Sequence, residues 1–426
     1  MQCKELDSSI ALSAFTAAVL CFSASSAIAS DEIDGLTLPS GFHASLVVDG
    51  VAGARHLAFR RNGDLFVSTR GENASGVVAI HLGEDHKADR IERFTKLGGG
   101  TGIRFSGEAL YASSPTAIYR FVFHRGEFVP AEAPDTIVQG MPDKGFSARP
   151  ISFDDRGALY VGVGGSANIC AEPNAPKGAK PVGLNPCPDL EGRAGIWRFD
   201  SRRANQSFPS DGKQIATGLR DVGAIDWRTS DGLYAVMHNR NGTHATWPEL
   251  VSATDELAVA EEMHRIVPGS NLGWPYTYFD GVRNLRLMAP EYGGDGKLTA
   301  PDGKYSIPVV SFPGHRAPLD MVFYKGSQFP RSYRGGAFVI FHGGLGPDVA
   351  EGHSGYDVQF VPFTASGRAG SPTLFAGGFA GPELADKNAG RAKYRPVGAA
   401  VGPDGALYIA DSQKGRIWRI YYTGSD

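Results

Sequence analysis

Seven consecutive residues, His238 to His244 (HNRNGTH), hold two histidines, an arginine and two asparagines. Imidazole exchanges protons near neutral pH, guanidinium grips anions through a fixed fork of N–H groups, and amides orient polar ligands. The run therefore carries the donors a small polar ligand needs. Comparable polar residues follow apolar stretches elsewhere: Thr69, Arg70 and Glu72; Ser113 and Ser114; Ser166 and Asn168; His342; and Asp411, Ser412 and Gln413. Taken singly, a Ser, Asn or Asp at such a place is explained by the turn preference of its type. HNRNGTH is too dense for that.

Motifs of other chemistries are missing. No Ser has Gly at both −2 and +2, so there is no nucleophile elbow, and HExxH, a Walker loop and an EF-hand repeat are absent. No CxxCH occurs, so no covalent haem module belongs to this chain. GGGTG (98–102) and GVGG (162–165) open no helical pattern and read as turns. With 42 Lys and Arg against 45 Asp and Glu, a formal charge of −3, no cationic excess exists to neutralise phosphates, and nucleic acid is not an expected partner. Gly (56) and Pro (27) exclude a long-helix protein, whereas 42% hydrophobic and 10% aromatic residues suffice for a core.

Ile10 to Phe22 is an apolar run followed by Ala27-Ile28-Ala29, which suits a secretory leader, residues 1–29, cut before Ser30; an uncleaved anchor is the alternative. Either way the chain is expected to be periplasmic or secreted. Beyond the leader only Cys170 and Cys187 remain, and in an oxidising compartment they read as a disulfide closing a Pro/Gly-rich loop, at about 3 kcal/mol on the chain-entropy model.

The elements that must position the polar residues form a repeat. An apolar strand, a Gly-containing turn and a strand centred on Leu-Tyr or its equivalent recur at 57–69, 103–114, 151–163, 225–237, 322–341 and 399–411. The aromatic anchors Phe66, Tyr111, Tyr160, Tyr234, Phe338 and Tyr408 lie 45, 49, 74, 104 and 70 residues apart. The short spacings fit a four-stranded blade and the long ones a blade with an insertion. Basic-aromatic strands at 118–123, 195–200, 263–267 and 416–422 supply the third or fourth strand of a blade. Mild helical character appears only at 82–94 and 255–263. The expectation is an all-β, six-bladed β-propeller over residues 30–426 with inserted loops, in preference to paired β-sandwiches, whose turns would be more evenly spaced. Equivalent blades would bring the polar residues to one face around a central funnel.

Several stretches carry a family resemblance: ISFDDRGALYVGVGGSANIC (151–170), TGLRDVGAIDW (217–227), LYAVMHNRNGTHATWPEL (233–250), NLGWPYTYFDG (271–281) and KYRPVGAAVGPDGALYIAD (393–411). Together they resemble the sorbosone dehydrogenase-like branch of the soluble sugar dehydrogenases that use pyrroloquinoline quinone. The resemblance implies an oxidoreductase that binds the quinone and Ca²⁺, oxidises an aldose or related sugar and passes electrons to an external acceptor. It implies Arg220 as catalytic and cofactor-binding, Asn239, Lys393 and Arg395 as cofactor-binding, and the main-chain oxygens of Arg240 and Asn241 as metal ligands.

Three departures from that pattern stand at the site. The family's proton-accepting His is expected five residues before Ile151, where this chain has Phe146. Relatives' HGSWNR is replaced by HGGLGP (342–347), and Asp221 stands where an amide or His is usual. Weakened catalysis is therefore expected, with His238, His244 or His342 as candidates for the missing base. The alternatives are a non-catalytic sugar- or protein-binding propeller and a Ca²⁺-dependent lactone hydrolase.

Overall fold

The computed structural model describes residues 28–30 (backbone), 33–173, 178–344 and 355–424. The expected leader lies almost wholly outside these residues, as does Leu345 to Pro347 of the HGGLGP stretch.

Six antiparallel sheets are arranged in chain order. Blade 1 is Ala54–Phe59, Leu65–Thr69, Gly76–Leu82 and Ala88–Thr95. Blade 2 is Ile103–Ser106, Ala109–Ser113, Ile118–Val122 and Asp135–Gln139, and blade 3 is Ile151–Phe153, Ala158–Val163, Gly195–Asp200 and Lys213–Thr217. Gln206–Ser207 and Ser270–Asn271 add a short parallel fifth strand to blades 2 and 3 respectively. Blade 4 is Asp221–Arg228, Gly232–His238, Glu261–Ile266 and Val310–Phe312; blade 5 is Pro318–Phe323, Ala337–Phe341, Asp357–Val361 and Thr373–Ala376. Blade 6 is Pro396–Val401, Leu407–Asp411 and Ile417–Tyr422, and its fourth strand is Phe42–Val48, from the other end of the described chain.

That last pairing fastens the ring. First strands of neighbouring blades touch all the way round, the sixth against the first. Each repeat supplies the first two strands of one blade, and the basic-aromatic segments are all third strands. The predicted hairpin glycines Gly63, Gly157 and Gly405 have φ of 100°, 82° and 81°, a region costly for any residue with a Cβ.

Six apolar clusters, one between each adjacent pair of blades, form the core. A second strand therefore has both faces covered, and Leu65–Thr69 and Ala337–Phe341 are buried at every position. The helical reading of 82–94 is corrected: Gly76–Leu82 and Ala88–Thr95 pair as the outer hairpin of blade 1. There the outermost strand is mostly solvated, so its polar residues mimic a helical period. At 255–263 one helical turn, Ala253–Glu256, precedes the blade 4 strand. The insertion that follows carries the hairpin Thr277–Asp280 with Leu285–Met288. Cys170 and Cys187 are disulfide-bonded, as expected.

Between blades 5 and 6, the fully buried Phe338 ring meets Tyr324, Phe329, Tyr333, Phe360 and Phe375 with centroids 4.5–6.1 Å apart. Phe338→Ala is expected to lower the unfolding free energy by about 3–5 kcal/mol, measured by denaturant titration, because the surrounding rings cannot collapse into the space.

Candidate functional site

In all six blades an arginine stands within two residues of the start of the first strand: Arg55, Arg104, Arg149, Arg220, Arg316 and Arg395. The chain enters each blade next to the axis, so these side chains converge. Arg104 and Arg316 form ion pairs with Asp320 and Asp357 respectively. Among the described residues, neither the other four nor the nearby Arg70 has a carboxylate within ion-pair distance.

Contacts run in a circuit around the axis. The Arg220 guanidinium lies 4.4 Å over the Phe146 ring. Beside Phe146, Ser147 Oγ accepts from Arg70 Nη2 at 3.2 Å. Arg55 feels the charges of Arg70 and Arg395, and these, after burial itself, hold its pKa down. Arg395 donates from Nε to His342 O (3.2 Å) and from Nη2 to Gly343 O (2.7 Å). His342 lies in the field of His238, and Arg220 Nη1 closes the circuit on His238 O at 3.2 Å. Arg149 is fully buried with φ of 57° and donates to three carbonyls, of Pro115, Phe146 and Pro142. Burial lowers its pKa to about 10, so it remains a fixed cation at neutral pH.

Arg220 is held on every side. Its Nε donates to Asn168 Oδ1 (3.0 Å), and its main-chain oxygen accepts from Gly165 N (2.7 Å). The GVGG stretch, read as a turn, instead ends the second strand of blade 3. A Cβ on Gly164 would stand 2.5 Å from Phe146 Cβ and 3.2 Å from Arg220 O. Only glycine lets the two loops close this tightly. Asn168 braces the next segment too: its Oδ1 accepts from Asn241 N (3.1 Å) and its Nδ2 donates to Asn241 O (2.7 Å). The disulfide begins two residues later, and Trp274 Nε1 donates to Asn168 O at 3.1 Å, so the bridged loop and the insertion hold the brace together.

The 238–241 turn hangs on the buried carboxylate of Glu261. One oxygen accepts from the His238 ring nitrogen Nδ1 (2.9 Å) and Arg316 N (3.1 Å), the other from Asn239 N (2.7 Å). These bonds and His238 hold Glu261 below its usual pKa even though burial alone would raise it. The Asn239 amide is turned inward, donating to Ala260 O (2.9 Å) and Glu262 Oε1 (2.7 Å). The Arg240 side chain forms a buried ion pair with Glu291, and its main-chain oxygen accepts no hydrogen bond among the described residues.

The three candidate histidines separate. His244 gives Nδ1 to Val251 O inside the insertion. His342 places Nε2 2.7 Å from Ser412 Oγ, and burial, then Arg395 and Arg55, push its pKa well below normal. His238 engages Glu261 through Nδ1, leaving Nε2 without a partner among the described residues. Asp221, opening the first strand of blade 4, is raised by burial, only partly offset by His238 and Arg220.

Of the expected site residues, Arg220, Arg395 and the 239–241 turn are brought to one bowl. Lys393 is not: it is exposed, its Nζ is 3.5 Å from Asp34 Oδ1, and it lies over the Tyr394 ring. Arg55, Arg149 and Glu261 had no assigned role in the sequence reading, whereas Arg70 and Asn168 stood among the polar residues expected around the funnel; the arginine at each blade entrance was the signal available for Arg55 and Arg149.

A family model described as TrAA12-like matches residues 36–278 and 297–423. The chain is 24% identical over 431 residues to a pyrroloquinoline quinone-dependent pyranose dehydrogenase of Coprinopsis cinerea, covering 90% of this chain and 54% of that protein. A protein of Borreliella burgdorferi is 26% identical over 211 residues, 49% of this chain and 48% of that one. The chain thus spans about half the length of the curated relatives it matches. In fold it is similar to the holo pyranose dehydrogenase quinone domain of C. cinerea (TM-score 0.71, 18% identity, covering 91% of this chain and 97% of that one). It is equally similar to the calcium structure of a Trichoderma reesei family AA12 enzyme (TM-score 0.72, 18%, 91% and 97%).

Asp221 yields a pH-dependent prediction. Its folded pKa lies above the unfolded value, so its contribution to stability is fully present below that unfolded value and is lost as the pH rises through the folded one. Asp221→Asn is expected to raise the denaturant midpoint at pH 7, with the gain narrowing as the pH falls toward about 4. An equal gain at both pH values would contradict the burial argument.

Proposed function

The chain belongs to the TrAA12-like family, and from that premise we propose that it binds pyrroloquinoline quinone and oxidises an aldose or related sugar, sorbosone included, for an external electron acceptor. The observation that carries this reading is the group of arginines, Arg55, Arg70, Arg220 and Arg395, gathered around one axis without a carboxylate partner among the described residues. Leaving cations desolvated and unpaired is costly. A planar tricarboxylate is the kind of anion that such forks fit, and the donor set present therefore suits the quinone.

Arg220 and Arg395 are the residues that would hold its carboxylates. Both are buried, both are oriented by main-chain carbonyls, and each keeps N–H groups without acceptors among the described residues. When bound, the quinone supplies the two-electron, hydride-accepting oxidant. Phe146 covers one side of Arg220 and keeps water from it. The proton of the sugar hydroxyl is taken at His238 Nε2, the ring nitrogen that Glu261 leaves open. Ca²⁺ joins the proposal through the main-chain oxygens of Arg240 and Asn241, donors suited to a hard cation. No group of three or more His, Cys, Asp or Glu that could hold a metal occurs among the described residues, so the remaining oxygens would come from ligand and water. A periplasmic or secreted location belongs to the same proposal, supported by the disulfide.

Titrating the purified protein with quinone and Ca²⁺ and then following dye reduction with several aldoses tests this reading. Tight quinone binding is expected, and Arg220→Ala or Arg395→Ala should weaken it by roughly tenfold to a hundredfold each. No quinone binding would overturn the proposal; binding without turnover would leave the non-catalytic reading. Phe146→His should raise turnover under saturating quinone, on the order of a hundredfold if the restored imidazole acts as a base.

A further inference from the structure

Resting on the quinone reading, this inference concerns the two arginines of blade 1 that have no assigned ligand. Arg55 is partly buried, and its guanidinium has neither a hydrogen bond nor an ion pair among the described residues. Arg70 is exposed at the mouth of the bowl, and its one side-chain bond is the neutral one to Ser147 Oγ. Burial and the two neighbouring cations Arg70 and Arg395 all disfavour the charge on Arg55. Ala54 pairs with Thr69 and Arg70 N donates to Gly53 O (2.8 Å), so the two like charges stand on neighbouring strands with no counter-charge among the described residues.

Arg220 and Arg395 are the buried members of the group, 3% and 6% exposed, and suit a cofactor seated at the bottom of the bowl. Arg70 is exposed and so can be reached from solvent. A neutral sugar offers arginine only hydroxyl groups and leaves two cations unneutralised. A carboxylate offers two acceptor oxygens in the geometry of a guanidinium fork. Among the described residues Asp221, Glu261 and Asp411 are carboxylates near the bowl, and none is within ion-pair distance of Arg55 or Arg70; Glu261 is engaged by His238 and Asp411 accepts from Arg395 N.

We propose that Arg55 and Arg70 form a carboxylate-recognition site, and that the substrate class is an acidic sugar: an aldose bearing a carboxylate at the end of the ring remote from its reacting hydroxyl, such as a hexuronate. The reaction balances as for a neutral aldose. The C1–H bond breaks with transfer of hydride, two electrons, to the quinone, and the C1 hydroxyl gives its proton to a base. The product is the lactone of the corresponding dicarboxylic sugar acid, and the recognised carboxylate is unchanged.

The experiment is calorimetry on quinone-loaded protein with D-glucuronate and with D-glucose as probes. Glucuronate is expected to bind at least about tenfold more tightly. Arg70→Gln should remove most of that difference, and Arg55→Gln should do the same if it folds; Arg70 is exposed, so its variant carries the test regardless. Raising the salt concentration should weaken glucuronate binding and leave glucose binding unaffected. Equal affinities for the two sugars would overturn the inference. So would an Arg70→Gln variant that loses quinone affinity while keeping the glucuronate preference, since Arg70 would then belong to the cofactor. Failure of the quinone itself to bind, read in a separate titration beforehand, would strike the proposed function instead.

Discussion

Unpaired positive charge at the ring axis is the constraint from which the rest of this structure follows. Guanidinium groups at Arg55, Arg149, Arg220 and Arg395 point to one region, and their hydrogen bonds, where present, go to carbonyls and an amide rather than to carboxylates. Carbonyl acceptors orient an arginine without cancelling its charge. The bowl therefore keeps an electrostatic demand that a fully ion-paired site would not have. Salt bridges are plentiful elsewhere on the molecule, as in Arg416 with Asp34 and Asp49, so the lack of a described carboxylate partner for these four arginines reflects the arrangement of this one region.

Holding like charges together requires a stiff frame, and the propeller provides one. Apolar clusters fill every interface between blades, and the strand Phe42–Val48 ties the start of the ring to its end. Opening one interface would let the arginines separate, so ring closure and the shape of the bowl are one property. Local braces finish the work. Asn168 joins Arg220 to the 239–241 turn, Glu261 joins that turn to the entrance of blade 5, and Gly164 allows the Phe146 and Arg220 loops to meet.

Phe146 changes the character of the site without dismantling it. Its ring packs on the Arg220 guanidinium, so the position expected to move a proton instead shields a cation. In the proposed reaction proton transfer falls to another ring, and His238 is the candidate beside Arg220: Glu261 orients its Nδ1 and its Nε2 has no partner among the described residues, whereas His244, also bonded through Nδ1, sits in the insertion. Two side chains of the 239–241 turn are committed to the protein. The Asn239 amide and the Arg240 side chain are bonded inward to Glu262 and Glu291, which leaves main-chain oxygens, rather than side chains, to face a ligand.

How much was legible in the amino-acid order depends on the range of the interaction. Hairpins are local: each repeat, its turn glycine and its aromatic anchor lie within about a dozen residues, so the six blades and their boundaries could be read directly. The disulfide was also legible, because only two cysteines follow the leader. The arginine at blade entrances was available as a pattern once the first strands were known. Sequence alone had no access to which side chains meet across the ring. Arg220 and Asn168 are 52 residues apart and Arg395 and His342 are 53 apart, yet each pair is in contact. Lys393, two positions from Arg395, points instead to Asp34, 359 residues away. Such choices are made when the ring closes, because closure fixes which blade entrances face the axis and which side chains are left outside it.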